Sequence, residues 1–295
     1  MRPLIFISLS ALSFVWAPAL AAAQDTFLPP APPGPPVGVR AAGMGGAFTA
    51  VADDASAVYW NPGGLASGAF FGLTIDYNTA DRGSAGTIAL ATPPLGLSYY
   101  RTATGELPNS RNGLVAHHAG LTVVHSLTRT ISAGTTWKVV QGVAGEFSTN
   151  KFDADLGVMA AGSLGKVGLS VRNLLEPKFT APGGLIQLDR QIRLGAAINV
   201  TRGSLISADV DLTETRIPLG DLREVAFGTE AHAAKKLWLR GGYHWNAAGG
   251  AAPSAPMGSV GGSFAVYGRT LADAQVTFGS EDGNRGWGVG LRFVF

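Results

Sequence analysis

Four groupings of residues have types and spacings that could do chemistry. Asp53 and Asp54 are adjacent carboxylates, the raw material of a calcium site or an acid–base pair. No further acids follow at the spacing of a calcium loop, so the pair reads as a helix cap or a salt-bridge partner, with an inward-facing arginine as its expected mate. Gly43-Met44-Gly45-Gly46 has the glycine content of a phosphate-binding loop, but no Lys-Ser/Thr pair follows and no strand precedes it. His117 and His118 are neighbours on one extended segment and must point to opposite faces, so they cannot chelate one ion together. His232 and His244 are expected to face inward on adjacent strands, where lining polar residues are the default reading. No serine sits in a Gly-x-Ser-x-Gly turn, and the chain has no cysteine. These residues predict no catalytic group, no cofactor and no metal site. A net charge of +2 gives no electrostatic footprint for nucleic acid.

The remaining charges fall at alternate positions of extended segments. Lys138, Arg172, Arg193, Arg240 and Arg292 share one face with Asp153, Asp155, Asp209, Asp211, Asp273, Glu224 and Glu230. The opposite face is apolar: Leu194, Ile198, Val210 and Leu239 stand back to back with Arg193, Gly195, Asp209 and Arg240. Only 14% of residues are charged, against about 25% in a typical soluble domain, and 41 of 295 are glycine. Beyond residue 23 no apolar run reaches the ~20 residues of a spanning helix. Apolar residues spread over alternate positions, with a polar face behind them, describe a membrane-spanning β-barrel. The segmentation predicts fourteen strands, at about 68–78, 84–92, 95–103, 113–126, 129–141, 152–163, 166–173, 189–201, 203–212, 223–234, 236–246, 257–267, 270–280 and 285–295. Near-balanced charge signs inside argue for ion-paired networks that hold an interior element, and against an ion-selective pore.

The connections predict orientation. Short ones follow Thr92, Ser126, Ser163, Thr201, Ala234 and Gly268, while longer ones contain 105–112, 142–151, 174–188, 213–222 and 247–256. This rhythm puts the short turns and both ends of the barrel domain on the periplasmic side. Met1 to Ala23 has one arginine, an apolar stretch and a small-residue exit at Ala21-Ala22-Ala23, which reads as a secretory signal peptide. Residues 24–66 form a Pro-rich linker and a distinct small-residue segment, and 67–295 form the barrel. The alternating stretch Arg285–Phe295 ends on phenylalanine and resembles the terminal signature of bacterial outer-membrane barrels. That resemblance implies that Phe295 is an assembly signal read by the barrel assembly machinery.

The segment before the barrel reads Ala42-Gly-Met-Gly-Gly-Ala47, Ala52-Asp-Asp-Ala-Ser-Ala57 and Tyr59-Trp-Asn-Pro62. It resembles the N-terminal signature of the FadL/PorV superfamily of outer-membrane barrels. The resemblance implies a fourteen-stranded all-β barrel in the outer membrane of a diderm bacterium, with the N-terminal segment folded inside as a plug, or hatch. It marks Arg40, Gly43, Gly45, Gly46, Asp53, Asp54, Asn61 and Pro62 as the plug motif. A short helix is expected over 55–60, ended by Pro62, with Asn61 and Pro62 where the plug meets the first strand. The implied function is passage or capture of small hydrophobic compounds, as in FadL-type proteins. The alternative is a non-transporting PorV-like barrel that partners secretion-system proteins, which the short, polar reading of the long loops keeps open. Outer-membrane lipid and a hydrophobic small-molecule ligand complete the expected partners.

Overall fold

The computed structural model describes residues 27–28, 35–81, 83–104, 113–217, 220–248, 256–279 and 285–295. The expected signal peptide, 1–23, lies outside them. Fourteen antiparallel strands close into one barrel. They are β1 Gly72–Ala80, β2 Gly83–Thr92, β3 Leu95–Thr104, β4 Val115–Ser126, β5 Ile131–Ala144, β6 Phe147–Ala161, β7 Gly165–Arg172, β8 Gln191–Thr201, β9 Ser204–Asp211, β10 Glu224–Ala234, β11 Leu237–Asn246, β12 Met257–Tyr267, β13 Thr270–Gly279 and β14 Gly286–Val294. Each pairs with its neighbours in sequence, and β14 closes on β1 with Gly286 opposite Ala80 and Val294 opposite Gly72. Phe71 and Phe295 then exchange backbone hydrogen bonds of 3.1 and 2.9 Å at the seam. Closure leaves no unpaired edge, the condition for a sheet to sit in hydrocarbon.

The faces follow the alternation. Leu194, Ile198, Ile206, Leu239, Val260 and Leu291 project outward and are exposed, while Arg193, Ser207, Asp209, Arg240, Ser259 and Arg292 are buried inside. β4 shows no clean alternation because its inward face also carries apolar Ala116 and Val124. Ala116 packs on an inserted loop and Val124 on the N-terminal segment.

Residues 37–65 fill the lumen. They form two short helices, α1 Val39–Gly43 and α2 Ala57–Trp60, and a 3-10 turn, Pro62–Ser67. α2 begins at Ala57, later than expected, because the carboxylate of Asp54 folds back on the backbone N–H of Ser56, 2.9 Å away. The 3-10 turn runs to Ser67, directly before the expected start of the first strand, and β1 begins four residues past that start, at Gly72. So little regular structure leaves many backbone carbonyls without internal partners, and wall hydroxyls supply them. Ser132 donates to Gly63 O at 2.7 Å, Thr136 to Val58 O at 3.2 Å, Ser207 to Ala47 O at 2.8 Å and Ser259 to Gly43 O at 3.2 Å.

Two expectations about the long connections change. The expected loop over 142–151 is two strands prolonged to a turn at Gly145-Glu146, which Gly145 permits with a φ of +59°. The connection after β7 is not simply polar. It folds into a hairpin, Lys178–Ala181 with Gly184–Gln187, whose Phe179 and Ile186 are fully buried against Val140 and Ala144. Phe27–Leu28 runs parallel to Leu185–Ile186 of that hairpin. The N-terminal segment therefore runs from the long-loop rim, where Phe27–Leu28 pairs, through the lumen to the short-turn rim where β1 begins.

Candidate functional site

The interior residues fall into three clusters. The first sits at the short-turn end and is built on Arg40 of α1. Its guanidinium reaches Asp53 at 2.6 Å, Asp54 at 3.0 Å and Glu230 of β10 at 2.8 Å. Glu230 also takes Arg240 of β11 at 2.6 Å; Arg240 and Arg292 converge on Asp273 at 3.2 and 2.6 Å, with the hydroxyl of Ser263 bonded among them. Arg292 returns to Asp54 and Lys166 to Asp53, each at 3.5 Å. Four cations thus meet four carboxylates, and the loop of contacts passes from the segment through β10, β11, β13 and β14 and back. Burial alone would lower the Arg40 guanidinium, but Glu230 and Asp53 hold it well above its ordinary value. Burial alone would raise the Asp54 carboxyl, but Arg40 and Arg292 hold it below the usual carboxylate range. A cavity of about 220 Å³ opens beside this network, with Leu65, Ala91, Trp238 and Leu271 in its lining.

The second cluster grips the middle of the segment. Asp209 accepts the backbone N–H groups of Phe48 and Thr49 at 3.0 and 2.8 Å, and Arg193 bonds Asp211 at 2.6 Å, Glu224 at 2.7 Å and Gly46 O at 3.3 Å. Gly45 and Gly46 adopt left-handed φ values of +64° and +81°. Gly45 also abuts β11, where a Cβ would lie 2.6 Å from Tyr243 N. Gly43 packs on the backbone of Gly261. Asn61 ties the segment to itself and to the wall, donating to Thr49 O and to Val158 O, each at 3.0 Å, and accepting from Gly63 N–H at 3.1 Å. Asn61 and Pro62 therefore join the segment to β6, not to the first strand. Pro62 opens the 3-10 turn that Asn61 caps.

In the third cluster, Lys138 holds Asp155 at 2.6 Å and Asp153 at 3.1 Å. Beside it lies an aromatic stack that the sequence did not reveal. Tyr100 stacks on His118 at 4.2 Å, Tyr59 meets Tyr100 edge-on at 5.3 Å, and Arg172 covers Tyr59 at 4.4 Å. The signal was the pair of adjacent ring residues on each of two neighbouring strands, Tyr99-Tyr100 on β3 and His117-His118 on β4, with Tyr100 directly opposite His118 and Tyr99 diagonal to His117. Tyr100 and His118 meet inside, while outside Tyr99 hydrogen-bonds His117 at 2.7 Å. On the outer surface of these strands is a concavity of about 590 Å³, walled by Leu97, Tyr99, Leu121, Trp137 and Phe152 and floored by Ser98, Gly120 and Lys138. His232 and His244 do not meet. His232 is exposed near the short-turn rim and stacked on Trp238, whereas His244 lies six positions further along β11, about 20 Å away. Among the described residues no group of three or more His, Asp or Glu is placed to hold a metal ion.

A closed fourteen-strand barrel with lipid-suited residues outside, paired charges inside and its own N-terminal segment in the lumen has the fold of FadL-type transmembrane β-barrels. No family model matches the chain, and no curated protein is similar to it in sequence. Solved structures share the fold. The Ralstonia pickettii toluene transporter TbuX matches with a TM-score of 0.64 at 12% identity, over 88% of this chain and 99% of that one. The CymD monoaromatic hydrocarbon channel matches with a TM-score of 0.63 at 14% identity, over 87% and 96%. A Pseudomonas aeruginosa FadL homologue matches with a TM-score of 0.61 at 10% identity, over 90% and 99%.

Proposed function

We propose that this protein resides in the outer membrane and passes small hydrophobic compounds across it, with residues 24–66 acting as a plug and 1–23 as the export signal. One observation carries the reading: an aromatic surface inside the lumen and an apolar concavity outside it are separated by a wall that is a bare glycine at Gly120. Inside stand Tyr59, Tyr100 and His118. Outside, the apolar concavity opens toward the bilayer. A compound without hydrogen-bonding groups gains nothing from a water-filled pore, but it gains by moving from aromatic faces directly into hydrocarbon. A Cβ at Gly120 would lie 2.9 Å from Ser98 Oγ and 3.0 Å from Thr136 Cγ2, so any larger side chain closes this point. The shared fold with channels and transporters of hydrophobic compounds supports the same reading, and the secretion-partner alternative gains no support from the neighbours found.

The test is uptake of radiolabelled toluene and oleate by cells carrying Gly120→Leu in an otherwise transport-deficient host. Heat-modifiable barrel in the outer membrane serves as the assembly control. Uptake should fall at least tenfold while barrel yield holds. Undiminished uptake of both compounds removes Gly120 from the route, and no uptake even by the parent protein removes the function.

A further inference from the structure

The two rims differ in charge. The six short turns, 93–94, 127–130, 162–164, 202–203, 235–236 and 268–269, contain Arg129, Arg202, Lys235, Lys236 and Arg269 and not one Asp or Glu. All five cations are exposed, and none forms an ion pair among the described residues, where Lys166 alone near this rim turns inward to Asp53. The end of β14 lies beside them, where the N–H of Val294 bonds Arg269 O at 3.2 Å. At the opposite rim cations and acids are mixed and partly paired, as in Arg223–Glu214 at 2.9 Å and Arg190–Glu176 at 3.5 Å.

The unpaired cations sit on the β4–β5, β8–β9, β10–β11 and β12–β13 turns, spread over more than half of the circumference. Large apolar side chains stand at the same level: Leu127, Leu164, Phe70 (80% exposed) and Tyr267 (86% exposed). A folded acidic partner would dock against one side of the barrel. A ring of long cationic side chains at the level of an apolar and aromatic belt instead matches the headgroup layer of a bilayer leaflet.

We propose that this rim is a binding collar for anionic glycerophospholipid headgroups, selecting phosphatidylglycerol-type over zwitterionic lipid in the leaflet that surrounds it. The contact is made by the phosphate diester, and each cation near the surface is worth roughly fivefold in local headgroup affinity at low salt. The inference depends on the rim alone and not on what the barrel conducts.

The test uses the full-length mature chain reconstituted into phosphatidylcholine bilayers that contain spin-labelled phosphatidylglycerol or spin-labelled phosphatidylcholine. The motionally restricted fraction of each probe gives their relative association with the protein. The parent should select phosphatidylglycerol severalfold at 20 mM salt and lose that selection at 1 M. The variant R129Q/R202Q/K235Q/K236Q/R269Q should show none at either salt, while K151Q/R285Q at the other rim should behave as the parent. If the fivefold variant fails to assemble, the salt series and the single change Arg202→Gln, expected to lower selection measurably, still decide. Equal association of the two probes with the parent overturns the proposal and leaves the collar to a protein or cell-wall polyanion. Selection that survives the fivefold variant overturns it as well.

Discussion

Arg40 is where the lumenal segment is most strongly held, so Arg40→Ala should free the segment without unfolding the barrel. The substitution leaves Glu230 with Arg240 alone, and leaves Asp54 and Asp53 with Arg292 and Lys166, each at 3.5 Å. Removing one partner of a buried pair costs about 3–5 kcal/mol, because the other charge stays behind. Asp53 is 32% exposed and its share is screened, so about 3 kcal/mol is the fitting figure. The cost falls on the contact between segment and wall, since every barrel strand keeps both neighbours. About 3 kcal/mol corresponds to a roughly hundredfold larger population with the segment displaced. Hydrogen exchange at residues 39–61 should accelerate by about that factor, and channel openings in planar bilayers should become correspondingly more frequent. Arg40→Lys should recover only part of the loss, because an ammonium cannot hold Glu230 with two parallel bonds. Arg190→Ala, which removes an exposed pair at the far rim, should change neither readout. Exchange and conductance equal to the parent's in Arg40→Ala would refute the reasoning that this network retains the segment.

Other perturbations act on separate parts of the structure. The pH dependence follows from Asp54, whose carboxyl is held below its ordinary value in the folded chain. A lowered folded-state pKa contributes stability above the unfolded value, about 4, that is lost as pH falls through the folded one. Asp54's contribution to segment protection, measured relative to intrinsic amide exchange at each pH, should therefore hold from pH 7 to 5 and be lost only under more acidic conditions, and Asp54→Asn should lower protection already at pH 7. Gly157→Ala should displace Asn61, because the new Cβ would lie 2.2 Å from Asn61 Oδ1, at a cost of about 1–3 kcal/mol; Gly241→Ala, with 3.7 Å of room, should be neutral in the same exchange assay. Leu194→Arg should lower barrel stability in urea titration by about 2–4 kcal/mol, whereas Val200→Arg, near the rim on the same outward face, should cost about 0–1. Deleting Phe295 removes its ring contact with Phe71 at 6.0 Å and two seam hydrogen bonds, and heat-modifiable barrel should fall with it.

The strands were legible because lipid and lumen impose opposite demands on successive residues, as Arg193 and Leu194 show. Strand ends were less so. β5 runs past its expected limit because the hairpin at 178–187 covers its inner face at Val140 and Ala144, and β6 is prolonged by pairing with it; a hydrophobic lumen contact looks in sequence like the start of a loop. The partner of Arg40 could not be read for a related reason. Glu230 and Arg240 are marked as inward by alternation, but which inward carboxylate faces which guanidinium depends on register across five strands, and no local pattern encodes that. The aromatic stack was half visible. Tyr100 and His118 lie on neighbouring strands, but Tyr59 comes from a segment whose path no periodicity describes.

The glycines link these parts. On the inner wall they stand where the segment's backbone comes closest: a Cβ at Gly134 would lie 2.6 Å from Pro62 C, and one at Gly168 would lie 2.4 Å from Thr49 O. Each bare position brings a wall strand within hydrogen-bonding reach of an irregular chain, as Val158 O beside Gly157 meets Asn61. Wall and segment are thus joined by side-chain bonds and ion pairs, while the wall itself is joined by continuous strand pairing. Removing one guanidinium or filling one glycine weakens the first set and leaves the second intact. A barrel built this way can loosen its interior at a cost of a few kcal/mol while the membrane-spanning shell stays closed.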